Sequence, residues 1–165
     1  MMKSASAATL FVLLMQGPAL SQDTSIQFGG LAQDTSLPVE VASDELQVSQ
    51  TDGSAVFLGN VLVTQGEMKL SADRLEVIYG SGEGGSGDIE ELRASGGVTL
   101  VNGAEAAESR DAIYNIDAGS VVMTGDVVLT QGPNALSSNQ LTIDLKSGTG
   151  TLQGRVRTIF QTGTR

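Results

Sequence analysis

The residues of this chain best equipped for chemistry are its carboxylates and one glycine-rich run. Histidine is absent, which removes the commonest general base and metal ligand, and without cysteine no disulfide can form. Acid–base work would then fall to paired carboxylates, as in glycoside hydrolysis. Asp44, Asp73, Asp126 and Asp144 lie in turns or at outward positions of an alternating pattern, and they do not converge. No Asp-x-Asp-x-Asp loop occurs, so no calcium site or other metal is expected. The run from Gly80 to Asp88 has the glycine content to cradle a phosphate. It carries Glu83 and Asp88, lacks a Lys-Ser/Thr ending and adjoins no helix pattern, so it reads as a flexible loop. The chain is therefore expected to be no enzyme, with no catalytic residue and no cofactor.

With catalysis set aside, composition narrows the class. The chain has 165 residues and a net charge of −10, which disfavours nucleic acid as a partner because phosphate binding needs a basic surface. Met1–Ser21 has the layout of a cleavable secretory signal: Lys3, an apolar run over 5–15, then Ala19-Leu20-Ser21. That run is too short for a membrane span, and export is expected. Residues 22–37 read as a polar lead-in whose order is open, 38–160 as one domain, and 161–165 as a tail.

The domain is built from a repeat. Gly59-Asn60-Val61, Thr64-Gln65-Gly66 and Leu70-Ser71-Ala72-Asp73-Arg74-Leu75 return, 66 residues on, as Gly125-Asp126-Val127, Thr130-Gln131-Gly132 and Leu136-Ser137-Ser138-Asn139-Gln140-Leu141. Val61, Val98, Val127 and Val156 fall in one series, as do Val41, Leu70, Ala107 and Leu136. The unit is 29 residues, lengthened once by 8 at the glycine-rich loop over 80–88. Half-units, Val41–Val48 and Gly150–Phe160, stand at the two ends.

Within each unit the apolar period is two, which specifies strands. On the outgoing strands the inward face carries Phe57, Val61 and Val63, then Val98 and Leu100. It continues with Met123, Val127 and Leu129, then Leu152 and Val156. The returning strands contribute Leu70, Leu75, Val77 and Tyr79, then Tyr114 and Ile116, then Leu136, Leu141, Ile143 and Leu145. Such a stripe is ordinarily sheet core; in a groove the same side chains are also its walls. Turns are expected at Gln65-Gly66, Asn102-Gly103 and Gln131-Gly132.

The returning strand changes parity at Asp73-Arg74, which reads as a β-bulge. Placing the extra residue there sets Gly59 opposite Leu75, Phe57 opposite Val77 and Ala55 opposite Tyr79. Gly59, Gly96, Gly125 and Gly154 then line a crease along which the sheet folds, with bulky residues between them. The expected architecture is all-β: a folded antiparallel sheet of about 16 short strands, open at both ends.

These residues resemble the OstA-like family. The resemblance rests on Leu37-Pro38-Val39-Glu40-Val41-Ala42-Ser43-Asp44-Glu45-Leu46, the Gly59-Asn60-Val61 and Gly125-Asp126-Val127 turns, Ser71-Ala72-Asp73-Arg74-Leu75, and Phe28-Gly29-Gly30 upstream. It implies a V-shaped β-jellyroll and a periplasmic protein that carries lipopolysaccharide from the inner to the outer membrane. It further implies lipid A acyl chains held in the groove, and end-to-end stacking with itself and with inner-membrane LptC-like and outer-membrane LptD-like jellyroll domains. The acidic charge offers lipid phosphates little long-range attraction, so apolar burial would have to supply the binding. Arg155 and Arg157 near one end and Glu40, Asp44 and Glu45 near the other are candidates for electrostatic docking between copies. The competing reading is an exported structural or adhesive β-repeat protein without a lipid ligand.

Overall fold

A computed structural model describes residues 24–27, 29–80 and 87–163. The leader expected over 1–21 and most of the glycine-rich loop lie outside the described residues. The element order is β1 (Thr24–Gln27), a 3-10 turn (Gly29–Leu31), β2 (Glu40–Ala42), β3 (Glu45–Val48), β4 (Ala55–Gln65), β5 (Met68–Tyr79), β6 (Ile89–Asn102), β7 (Glu105–Asn115), β8 (Ser120–Gln131), β9 (Asn134–Asp144), β10 (Thr149–Gln153) and β11 (Arg157–Ile159). All pairings are antiparallel. They form one open sheet ordered β1-β10-β9-β8-β7-β6-β5-β4-β2, with β3 also on β4 and β11 also on β9.

The alternation of the sequence accounts for the strands. Each of β5 to β9 buries every second residue on one side of the crease and again on the other, and β4 does so with Phe57 only half-buried. Counted as two arms each, these six strands with β2, β3, β10 and β11 make the expected sixteen short strands, and β1 adds one more. The first arm holds β2, β11 and the halves of β4 to β9 that meet at the short hairpins. The second holds β1, β3, β10 and the other halves. Buried apolar side chains from both arms form one cluster, so the sheet folds with its inner faces together.

The crease is where expected, but its construction differs. Leu58 pairs with Arg74 and Val61 with Ala72, so Gly59 and Asn60 together oppose Asp73 alone. The extra residue is on the outgoing strand, and the same holds at Gly96-Gly97 and Gly125-Asp126. Phe57 therefore pairs with Leu75 and Ala55 with Val77, correcting the expected partners by two residues. The parity change at Asp73-Arg74 is real, since both face solvent, yet it marks the corner and not the insertion.

The reason lies in the backbone. Gly59, Gly96, Gly125 and Gly154 have φ of +77°, +83°, +87° and +78°, and Asn60, Asp126 and Arg155 follow with positive φ. Glycine, Asn and Asp tolerate this region best, so the insertion settles on the strand that carries them. At Gly96 an added Cβ would stand 2.7 Å from Asp73 Cβ. The crease thus reads as glycine against a polar partner, Asp44, Asp73, Arg110 and Asn139 in turn, not glycine against a bulky residue.

Three of the candidate aspartates have structural partners here, Asp126 through an exposed ion pair with Arg110 at 3.7 Å. Asp44 accepts a 2.8 Å hydrogen bond from Asn60 Nδ2 across the first crease position. Asp144 accepts from the Lys146 and Ser147 backbone N–H groups; with Ser147 foremost, these hold its carboxyl below the usual range.

The segment read as a polar lead-in has defined structure over 24–27 and 29–37. β1 pairs with β10 over Thr24–Gln27, so the second arm at the C-terminal end finishes on β1, not on the half-unit strand β10. From there the chain crosses back to β2 at the opposite end of the sheet.

Candidate functional site

The interior between the arms is the candidate site. Of the side chains expected to line it, Val61, Val63, Leu70, Leu75, Val77, Val98, Leu100, Tyr114, Met123, Val127, Leu129, Leu136, Leu141, Ile143, Leu145 and Leu152 are buried in the common cluster. Phe57 and Ile116 are half-buried against it. Tyr79 and Val156 are not interior: each is 39 % exposed. Tyr79 stands where the β5–β6 register shifts beside the glycine-rich loop, and Val156 follows the left-handed pair Gly154-Arg155. In both places the irregular backbone breaks the alternation on which the expectation relied.

The interior is filled by its own side chains and closed at its mouth, the side opposite the crease where the hairpin ends of the two arms approach. Residues 29–39 cross that mouth as a strap. Leu31, 1 % exposed, inserts into the core. Gln33 N–H donates to Leu145 O on the second arm (2.7 Å), while its Nε2 donates to Gln65 O on the first (2.6 Å). Gln65 Nε2 donates in return to Leu37 O and Thr35 O at 2.8 and 3.1 Å. Beside the strap a recess of about 460 Å³ opens among Leu37, Val39, Gln65, Ile89 and Ile116.

A polar row lies beneath the strap. Gln65, Asn102 and Gln131 are equivalent in the repeat and end the strands before the two-residue loops Gly66-Glu67, Gly103-Ala104 and Gly132-Pro133. Glycine with positive φ comes first in each loop, the type II′ arrangement that suits a tight hairpin. The turns thus start one residue later than expected. Gln65 and Asn102 stay in the strands with the inward parity of their Val and Leu neighbours and are buried. Asn102 Nδ2 reaches Ala32 O of the strap at 3.4 Å.

Tyr114 OH donates to Gln65 Oε1 at 2.7 Å, and burial pushes its hydroxyl up from the ordinary tyrosine value. Glu105, 6 % exposed, accepts from Gln131 Nε2 at 2.9 Å. Its second oxygen has no hydrogen-bond partner among the described residues. Sequence reasoning missed this row and Leu31. The recurrence of an amide residue before each glycine turn was the available signal.

The sheet ends carry the remaining candidates. Glu40 and Glu45 are exposed on β2 and β3, and Asp44 is exposed between those strands. Arg157 on β11 and Arg155 before it are exposed at the opposite end, with Ile159 and Phe160 57 % and 70 % exposed beside them.

Residues 40–149, from β2 to the start of β10, match the family described as LptA/(LptD N-terminal domain) LPS transport protein. The chain belongs to that family. It is thereby an LptA-like lipopolysaccharide transport protein with the OstA-like jellyroll. An uncharacterised protein of Rhizobium meliloti (strain 1021) is 33 % identical over 160 residues, covering 92 % of this chain and 86 % of that one. The lipopolysaccharide export system protein LptA of Escherichia coli (strain K12) is 26 % identical over 125 residues, 74 % of this chain and 68 % of its own. In fold the chain is similar to LptH of Pseudomonas aeruginosa, described as the LptA-homologous periplasmic component of a lipopolysaccharide transport device. The TM-score is 0.68 at 18 % identity, over 78 % of this chain and 99 % of LptH.

Proposed function

We propose that this protein is a non-catalytic periplasmic bridge that carries lipopolysaccharide from the inner to the outer membrane. The acyl chains of lipid A travel between the two arms and the sugars remain in water. The observation that carries this reading is a single apolar interior, drawn from both arms along the whole sheet, in a member of a lipopolysaccharide transport family. Burial supplies the affinity, at about 0.8 kcal/mol for each acyl CH₂ removed from water. The acidic surface contributes no long-range attraction for phosphate, so the interior has to do the binding.

The bridge is completed end to end. β2 and β11 are the outer strands of the same arm at opposite ends, with Glu40 on one and Arg157 on the other. Copies joined tail to head bring these charges together and continue the sheet. LptC-like and LptD-like domains would take the terminal positions. Export by the leader over 1–21 brings the chain to the periplasm.

The test is to purify the protein from native envelopes and identify co-purifying lipid by mass spectrometry. A photo-crosslinking residue at Phe57, half-buried beside the interior, should label lipopolysaccharide. Purified protein free of lipopolysaccharide, with no adduct at position 57, would refute lipid carriage and favour an adhesive β-repeat protein.

A further inference from the structure

The strap and the interior beneath it are built on different terms. Leu31 is the one strap side chain that is fully buried; Ala32–Val39 are exposed or half-buried. The rest of the strap is held by main-chain groups, by the Gln33 amide on Gln65 O and by half-buried Val39 against the core. The carbonyls of Ala32, Thr35 and Leu37 accept from Asn102 and Gln65, and Gln33 N–H reaches Leu145 O. One aliphatic side chain flanked by amides, laid across a polar row above an apolar interior, has the chemical layout of an acyl chain at its attachment point.

Glu105 adds the independent observation. Its place in the repeat is held by Met68 in the preceding unit and Asn134 in the following one, so the fold does not require a carboxylate there. Yet Glu105 is buried, and among the described residues Oε2 is an acceptor without a donor. Buried polar groups are normally satisfied. The strap passes directly over it: a Cβ added at Gly30 would lie 3.1 Å from Glu105 Cδ and 3.2 Å from Oε1. What the strap leaves unsatisfied is a site for an N–H or O–H donor. An anionic group is excluded at that spot by the carboxylate itself.

We propose that residues 29–39 are an intramolecular stand-in for the ligand. An acylated molecule displaces them, its chain taking the position of Leu31 and an amide or hydroxyl donor at the root of the chain bonding Glu105. A long chain gains in proportion to the methylenes it buries, whereas the strap offers one fully buried leucine, so the exchange favours the ligand. This rests on the lipid-carrying reading and names the donor chemistry it selects. Phosphates stay outside the mouth.

The test uses the absence of native cysteine. Gln33 N–H bonds Leu145 O, so the backbone at residue 33 runs beside that of residues 145 and 146. The mature Gln33→Cys/Lys146→Cys protein can then have its strap locked by oxidation and freed by reduction. Binding is measured for a fluorescent long-chain N-acyl ethanolamine, for the methyl ester of the same acid, and for purified lipopolysaccharide. The reduced protein should bind the N-acyl probe about tenfold tighter than the ester, the value of a bond to a charged acceptor. Oxidation should abolish binding of all three. Glu105→Met, which copies Met68, should bring the two probe affinities together.

Equal binding in the oxidised and reduced states would overturn the strap as occupant. An undiminished amide preference in Glu105→Met would overturn Glu105 as the acceptor. If the reduced protein bound none of the three, the lipid-carrying reading would fall and this inference with it.

Discussion

Tyr114 on β7 donates a 2.7 Å hydrogen bond to Gln65 Oε1 at the end of β4, and the two residues belong to opposite arms of the folded sheet. Gln65 also binds the strap through its amide nitrogen and its backbone carbonyl. A single buried amide therefore joins both arms and the segment that closes them.

Tyr114→Phe keeps the ring in the core and removes the donor. Gln65 Oε1 is then left buried and unpaired, at a cost of about 1–3 kcal/mol. The urea midpoint should fall accordingly. Amide exchange should rise over Thr35–Leu37, whose carbonyl partners hang on the same side chain. Unchanged exchange there would mean that the arm–arm bond and the strap are independent.

Burial raises the pKa of the Tyr114 hydroxyl. The fold therefore favours the neutral phenol. Its contribution is fully present below the unfolded value near pH ~10 and is lost as pH rises through the higher folded value. Wild type should lose stability more steeply than Tyr114→Phe above pH ~10. Parallel curves for the two proteins in alkaline urea titrations would show that the phenol is not the source.

Glu105→Met should leave stability unchanged or raise it by roughly 1–2 kcal/mol, because a buried carboxylate with an orphan oxygen gives way to the residue type of the preceding unit. A marked loss of melting temperature would instead identify Glu105 as a structural anchor for Gln131.

Gly96→Ala should cost roughly 3 kcal/mol, combining a left-handed φ with a Cβ pressed against Asp73. Gly103→Ala has a similar φ and nothing within 4 Å, so about 1 kcal/mol is expected. Chemical denaturation of the pair separates the close approach at the crease from backbone preference alone.

Arg157→Glu should weaken end-to-end assembly, read by sedimentation velocity, and Glu40→Lys in the mixed partner should restore it. The wild-type association should weaken with salt, since both residues are exposed. Assembly insensitive to all three changes would assign the joint to the exposed apolar residues Ile159 and Phe160.

Local pattern determined much of this protein. The 29-residue period, the inward series from Val61 to Leu145, the glycine positions and the sixteen short strands are all properties of spacing along the chain, which alternation and turn chemistry express directly. The interior follows from the same pattern, because in a sheet each inward residue is given by parity alone. Parity failed where the backbone leaves regular geometry, at Tyr79 and Val156.

Tertiary structure alone decided the rest. Which strand carries the inserted residue depends on which chain can adopt positive φ opposite the other, and both arrangements give the same parity. The strap is a contact between residues far apart in sequence: Leu31 meets a core contributed by both arms, and Gln33 meets Leu145 and Gln65. A polar segment with two leucines, Leu31 and Leu37, shows no periodicity. Its order comes from main-chain groups, the Gln33 amide and Leu31 finding partners that exist only once the sheet has folded over, and so does the closure of the interior.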